Sequence, residues 1–215
     1  MTITIIDYGS GNLLSVSRAL EYCGASCQTS GDPAVIAASE ALVLPGVGAF
    51  RDGMEGLARY GLIDPILAHA RAGRPLLGIC LGMQMLASSS EEFGLHQGLG
   101  LIPGKVREIS KRSASGVSRK IPFIGWAGLD REPGMPWEDS ALQSIEEDEA
   151  VYLVHSYHFV PDEASDLLAT YRFHGDNITA AVRRGNVTGL QFHPEKSSQV
   201  GLRILRNFVI YSQQV

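Results

Sequence analysis

Three short segments carry residue types and spacings that could do chemistry together. The first is Gly78-Ile79-Cys80-Leu81-Gly82, which stands between an apolar run at residues 75–79 and a stretch predicted helical over 83–87. Gly-x-nucleophile-x-Gly at a strand-to-helix junction is the pattern of a nucleophile elbow. Glycines two positions to either side permit a turn too sharp for side chains, so the thiol projects from the carboxyl edge of a sheet, where a helix N-terminus favours the thiolate. The backbone N–H of Leu81 then points to where an oxyanion would form. Alone, the motif also fits a buried structural cysteine. A thiol nucleophile needs a base, and the base needs an orienting group.

The second segment supplies both. Of the six histidines, His193 closes an apolar run at residues 187–192 and is followed by Pro194 and Glu195. The proline fixes the backbone between imidazole and carboxylate, so Glu195 can fold back on the ring and hold its tautomer. His69 lies among alanines in a predicted helix and reads as a packed or surface residue, whereas His96 and His174 sit in glycine-containing turns and read as solvated. The third segment, Leu44-Pro45-Gly46-Val47-Gly48-Ala49-Phe50, follows another apolar run. Glycines on both sides of Val47 let backbone N–H groups turn inward and complete an oxyanion hole.

All three segments need strands ending at one sheet edge, and the chain predicts them. Short β-branched runs alternate with helical stretches over residues 2–87, the signature of a parallel sheet with crossover helices. Strands are predicted at 2–7, 25–29, 41–44 and 75–79. A helix stopped by Gly24 is predicted after the Gly9-Gly11-Asn12 turn, and one broken helix over 52–72, interrupted near Gly61 and Pro65. Beyond residue 91 the pattern predicts antiparallel strands at 104–109, 151–154, 168–173, 178–182 and 187–191, then a helix over 198–211 with Val200, Ile204, Leu205 and Phe208 on one face. The fold class is therefore α/β: a mostly parallel central sheet flanked by helices, with an added antiparallel portion. No linker is legible, so residues 1–215 read as one domain. Residues 111–120, with four basic residues and three serines, read as an exposed turn.

Composition excludes several classes of function. The chain has 215 residues, 45% hydrophobic and 19% charged, enough to bury a core without disulfide or metal. With 18 basic against 23 acidic residues, net −5, it lacks the electropositive balance of a nucleic-acid binder. The apolar run at 41–50 is about half the ~20 residues a bilayer span needs, and the N-terminus has no basic leader, so no membrane role and a cytoplasmic location are expected. Three cysteines, Cys23, Cys27 and Cys80, are too few for a disulfide scaffold and lack the companions of a zinc site. Cys23 and Cys27 read as core thiols, and no metal or cofactor is expected.

Pro45-Gly46-Val47-Gly48, Gly78-Ile79-Cys80-Leu81-Gly82-Met83-Gln84 and Gln191-Phe192-His193-Pro194-Glu195-Lys196-Ser197 together resemble the class I, or triad-type, glutamine amidotransferases. Within them the chain is most similar to the glutaminase subunits of histidine biosynthesis, on Asp7-Tyr8-Gly9 with Gly11-Asn12, Ser89-Ser90-Glu91-Glu92, residues 98–104, and Val154-His155-Ser156-Tyr157. The resemblance spans essentially the whole chain. It implies a Cys80-His193-Glu195 triad that attacks the glutamine side-chain amide, passes through a thioester and releases ammonia and glutamate. Gly46, Val47 and Leu81 would supply oxyanion donors, and Gly48 and Gln84 would contact glutamine. The ammonia would pass into a (β/α)8-barrel synthase (cyclase) subunit held as a heterodimer, with Asn12, Trp126, Tyr157 and Lys196 at the interface or tunnel.

The family usually reads Pro-His-x-Gly-Trp-Asn in the segment facing the synthase, where this chain reads Pro122-Phe123-Ile124-Gly125-Trp126-Ala127. A paralogue feeding ammonia to a barrel subunit that builds an amidino sugar of a surface polysaccharide is therefore the alternative. An α/β hydrolase is disfavoured by the acid following the histidine. A non-catalytic scaffold is disfavoured by the intact triad.

Overall fold

The computed structural model describes residues 1–132, 134 and 136–214. Alternating β-branched and helical segments give β1 (Thr2–Ile6), α1 (Leu13–Tyr22), β2 (Ser26–Ser30), α2 (Pro33–Ala38), β3 (Ala41–Gly46), α3 (Phe50–Arg59), α4 (Ile63–Arg71), β4 (Leu76–Cys80) and α5 (Leu81–Met85). Two short strands, β5 (Ser89–Ser90) and β6 (His96–Gln97), precede β7 (Gly104–Glu108). Then follow β8 (Phe123–Gly128), β9 (Asp130–Arg131), β10 (Ala150–His155), β11 (Tyr157–Pro161), β12 (Leu167–Phe173), β13 (Asp176–Arg184), β14 (Val187–Leu190) and α6 (Ser198–Ser212).

Among the described residues, eight strands form the main sheet in the order β2-β1-β3-β4-β14-β13-β12-β9. The β1, β2, β3 and β4 pairings are parallel, and β13 and β12 add the antiparallel portion. The strand predicted at 187–191 belongs to both halves: β14 runs parallel to β4, with Gly189 opposite Gly78 and Leu190 opposite Ile79, and antiparallel to β13. Its expected antiparallel character is thus corrected. Periodicity marks a strand, but its neighbour is chosen by tertiary packing.

Side chains of each buried strand divide between two cores, as a period of two dictates. Ile3, Ile5, Ala41, Val43, Leu77 and Ile79 face one core with Val16 and Leu20 of α1 and Ile204, Leu205 and Phe208 of α6. Leu42, Leu44 and Leu76 face the other, against Ile36 of α2, Leu57 of α3 and Ile66 of α4. With both faces covered, β3 and β4 are buried at every residue, which is why they read as unbroken apolar runs.

Several local expectations need correction. The predicted broken helix over 52–72 is α3 and α4, divided at Gly61 with φ +65°, but Pro65 does not interrupt it. Pro65 lies in the first turn of α4, where no intrahelical donor is needed. The short helix α2, begun by Pro33 and capped by Asp32 Oδ1 accepting the Ala34 N–H at 2.8 Å, was not anticipated. Nor were β8 and β11. Residues 111–120 are not simply an exposed turn: Arg119 is buried, donates to Phe173 O at 2.5 Å and pairs with Asp176 at 2.6 Å. Cys23 is buried as expected, and Cys27 is half-buried against the same core. His174 is exposed, whereas His96 is half-buried and its Nε2 is inaccessible, so the solvated reading holds for His174 alone. Among the described residues no helix is long and apolar enough to cross a membrane.

Candidate active site

Cys80 ends β4 and is the residue immediately before α5, with φ +55° and ψ −110°. Such a backbone is sparsely populated for a residue with a side chain and persists only where its surroundings over-determine it. Here the surroundings are glycines. A Cβ on Gly78 would lie 2.8 Å from backbone atoms of Gly82 and Met83, and a Cβ on Gly82 would collide with the carbonyl of Leu44. The elbow therefore needs both glycines so that α5 can turn back tightly over β3 and β4.

His193 reaches Cys80 because β14 lies beside β4 and the chain leaves both strands at the same edge. The segment after β14 is clamped to β10 on both sides of the histidine. His193 N–H donates to Tyr152 O at 3.0 Å, Tyr152 N–H donates to Ser197 Oγ at 2.9 Å, and the Ser197 hydroxyl donates to His193 O at 2.7 Å. Ser197 is fully buried, and the sequence alone assigned it no role.

A single turn of 3-10 helix, Pro194–Lys196, brings the carboxylate back to the ring, where His193 Nδ1 donates to Glu195 Oε1 at 2.9 Å. This bond leaves Nε2 for the sulfur. The side chains of His193 and Glu195 are only 7% and 1% exposed. Burial lowers the imidazole's proton affinity, but hydrogen bonds to Cys80 and Glu195 outweigh it and raise the pKa from 6.5 to about 9. The site therefore favours an imidazolium between sulfur and carboxylate.

Val47, Gly48, Cys80, Leu81, Gln84, Glu92, Tyr157, His193 and Lys196 are among the residues lining a cavity of about 380 Å³, room for one amino-acid-sized ligand. Gly46 lies in β3 directly opposite Cys80. Any Cβ on Gly46 would strike the Tyr8 hydroxyl, so Tyr8 holds the loop from beneath. Beyond it Val47 is 45% exposed and Gly48 adopts φ +98°. Gln84 is buried and donates to Tyr157 O and Gln191 Oε1, both at 3.0 Å. Glu92 Oε2 accepts the Phe50 N–H at 2.6 Å, and its place in the cavity wall was not singled out from the sequence.

The remaining expected residues divide in two. Tyr157 and Lys196 line the cavity, whereas Asn12 and Trp126 do not. Asn12 is exposed at the start of α1. Trp126 lies on β8, which pairs with β10 in a separate two-stranded sheet. Along β8, Ile124 and Trp126 are 62% and 53% exposed, and the alternate positions turn inward. Phe123 packs on Tyr171 and Phe173 with ring centroids 5.0 and 4.9 Å apart, and Ala127 packs on the core. The two departures from the family pattern thus fall on the inner face of the strand, and its exposed residues are not among them.

Of three further histidines, His69 and His155 are buried and His158 is half-buried. Burial lowers the pKa values of His69, His155 and His158 from 6.5 to about 4. The unfolded chain takes up these protons from about pH 6.5 downward and the folded chain only near pH 4, so stability falls as pH drops through that window, by up to ~1.4 kcal/mol per unit per histidine. His193 has the opposite sign: its contribution is complete below about 6.5 and is lost as pH rises through about 9. Urea midpoints at about pH 7 and about pH 5 should show the chain markedly less stable at the lower value. His69→Gln, which keeps a donor for the Pro75 carbonyl now 3.0 Å from Nε2, should reduce the slope.

The fold that carries this constellation is met in known proteins. Residues 4–211 match the family described as Glutamine amidotransferase class-I, and the chain belongs to that family. It is 51% identical to the imidazole glycerol phosphate synthase subunit HisH of Syntrophotalea carbinolica over 96% of this chain and 98% of that one. It is 46% identical to the imidazole glycerol phosphate synthase subunit HisH 1 of Legionella pneumophila strain Lens, over 97% and 98%. Among solved structures, PurLQS from Thermotoga maritima superposes with a TM-score of 0.71 at 20% identity, covering 98% of each chain.

Proposed function

We propose that the chain is the glutaminase subunit of an imidazole glycerol phosphate synthase, releasing ammonia from glutamine for a partner subunit in histidine biosynthesis. The observation that carries the reaction is the His193–Glu195 pair, hydrogen-bonded at 2.9 Å, set in the wall of the same cavity as Cys80. The observation that carries the pathway is 51% identity to a subunit of that synthase along nearly the full length of both chains.

In this reading Cys80 Sγ, its proton held by His193 Nε2, adds to the side-chain carbonyl carbon of glutamine, and the developing oxyanion is met by the Leu81 N–H and a donor from the Gly46-Val47 loop. His193 passes its proton to the amide nitrogen. The C–N bond breaks, ammonia leaves, and a thioester to Cys80 remains. Water attacks the thioester while His193 takes a proton, and glutamate is released as the C–S bond breaks. Glu195 holds the ring with Nε2 toward sulfur throughout. Both donors of Gln84 are occupied, so its carbonyl oxygen is the atom left to accept from the substrate. Glu92 offers a carboxylate suited to the α-ammonium group.

The partner is a (β/α)8-barrel cyclase that uses the ammonia to form imidazole glycerol phosphate and AICAR, with Asn12, Trp126, Tyr157 and Lys196 at the interface or tunnel. The amidino-sugar alternative drew on Phe123 and Ala127. Both face inward, so neither residue favours a different partner. Alkylation of Cys80 by iodoacetamide tests the site. Glutamine should slow it and asparagine should not, whereas equal rates with and without glutamine would return the chain to a scaffold.

A further inference from the structure

The buried side chains behind the thiol form a chain of hydrogen bonds whose direction is set by one backbone carbonyl. Tyr157 O can only accept, and two donors reach it: Gln84 Nε2 at 3.0 Å and His155 Nδ1 at 2.8 Å. The proton of His155 therefore sits on Nδ1, and Nε2 accepts from the Tyr171 hydroxyl at 2.9 Å. On the other side, the same carbonyl orients the Gln84 amide so that its second N–H meets Gln191 Oε1 at 3.0 Å. With its oxygen taken, Gln191 presents its own NH2 group to Cys80 Sγ, 3.9 Å away. Gln191 is fully buried, and its backbone N–H is fixed to Ala180 O at 2.8 Å.

Each amide in this line could be reversed only by setting oxygen against oxygen or by leaving a buried donor without an acceptor. The direction is therefore locked in the absence of substrate. At 3.9 Å the contact to sulfur is long for a neutral thiol. A thiolate is a stronger acceptor and draws the donor in, as charge-assisted hydrogen bonds do. In the proposed reaction His193 gives up its proton to the leaving amide nitrogen. The Gln191 amide is neutral and stays a donor at every stage.

We propose that Gln191 is a further residue of the nucleophilic site, a fixed N–H donor that holds and stabilises the Cys80 thiolate, and that Gln84 acts through it as a positioning residue. The proposal rests on Cys80 being the nucleophile. It gives Gln84 a part in preparing the thiol that is separate from any contact with glutamine.

The test is the rate of Cys80 alkylation by iodoacetamide at neutral pH in the full-length chain without glutamine, followed by mass spectrometry of the Cys80 peptide so that Cys23 and Cys27 do not contribute. Gln191→Met keeps the bulk and removes the donor, and alkylation should slow about ten-fold. Gln191→Glu, with an acceptor or a negative charge facing sulfur, should slow it further. Gln84→Met leaves Gln191 in place but frees its amide to turn, so alkylation should slow several-fold although residue 84 does not contact the sulfur. With the partner present, the Gln191 variants should lower kcat for glutamine and leave KM near the unsubstituted value.

An unchanged alkylation rate in a folded Gln191→Met protein overturns the proposal. If that variant does not fold, Gln84→Met decides: slower alkylation supports the relay and an unchanged rate overturns it. Alkylation needs no glutamine, so absence of glutaminase turnover in the unsubstituted complex would overturn the functional reading and leave this result interpretable.

Discussion

Cys80→Ala is expected to abolish glutamine-dependent synthesis by the assembled complex, a loss of at least about four orders of magnitude, while the same complex supplied with ammonium salt keeps its rate. In the proposed reaction the thiol serves only to liberate ammonia, and the partner's step begins with free ammonia. The variant should fold. Cys80 lies at the cavity wall, and an alanine fits the space of its Cβ. It keeps φ +55°, a conformation as uncomfortable for alanine as for cysteine, so little of the effect should come from altered stability. His193→Ala should cost about as much, and the double variant little more than either, because thiol and imidazole act as one unit. Multiplicative losses would mean that another group takes the proton. Loss of the ammonium-dependent rate in Cys80→Ala would mean that the substitution damages docking.

The elbow was legible because its chemistry is local: glycines at 78 and 82 permit a sharp turn beside a thiol, and Glu195 reaches His193 within a single turn. What lay outside the sequence is what long-range pairing supplies. β14 is an apolar strand by pattern, yet its parallel register with β4 brings His193 to Cys80. Ser197 became visible as a clamp only once β10 was seen beside it. Gln191 reads as one more residue at the end of a strand until the Tyr157 carbonyl, on a different sheet, fixes its direction. The departures at Phe123 and Ala127 show the converse. Read as positions in a motif they bear on partner identity, but strand alternation turns them inward and leaves Ile124 and Trp126 as the exposed residues. Pro65 belongs with these cases, since the same residue breaks a helix interior and fits a first turn.

The partner subunit, with a bound acceptor analogue, is expected to raise the glutaminase kcat of this chain by about 100- to 1,000-fold. The reason lies in the loop after β3. Gly46 is fixed opposite Cys80 by the sheet and from beneath by Tyr8, but the chain is then released: Val47 is 45% exposed and Gly48 adopts φ +98°. The loop is tethered through the Ser10 hydroxyl, which donates to Val47 O at 2.8 Å in an exposed position. A bond of that kind contributes about 1 kcal/mol, about five-fold in rate, so the tether supplies only part of the ~3 kcal/mol lost when an oxyanion donor is withheld, and the backbone preference of the loop around Gly48 must supply the rest. The Leu81 N–H belongs to the elbow itself, at the first residue of α5, so the donor that can be withheld is the one from this loop. Docking on the neighbouring face would shift the loop population without moving the triad. Steady-state glutaminase kinetics of the chain alone and with the partner subunit from the same organism decide the matter, and equal kcat in both would remove the switch. Ser10→Ala adds a second reading. If the tether holds the resting loop, its loss should raise turnover of the isolated chain about five-fold and leave the partner-stimulated rate unchanged. Activation with no response to Ser10→Ala would place control in the partner's docking contacts and not in the tether.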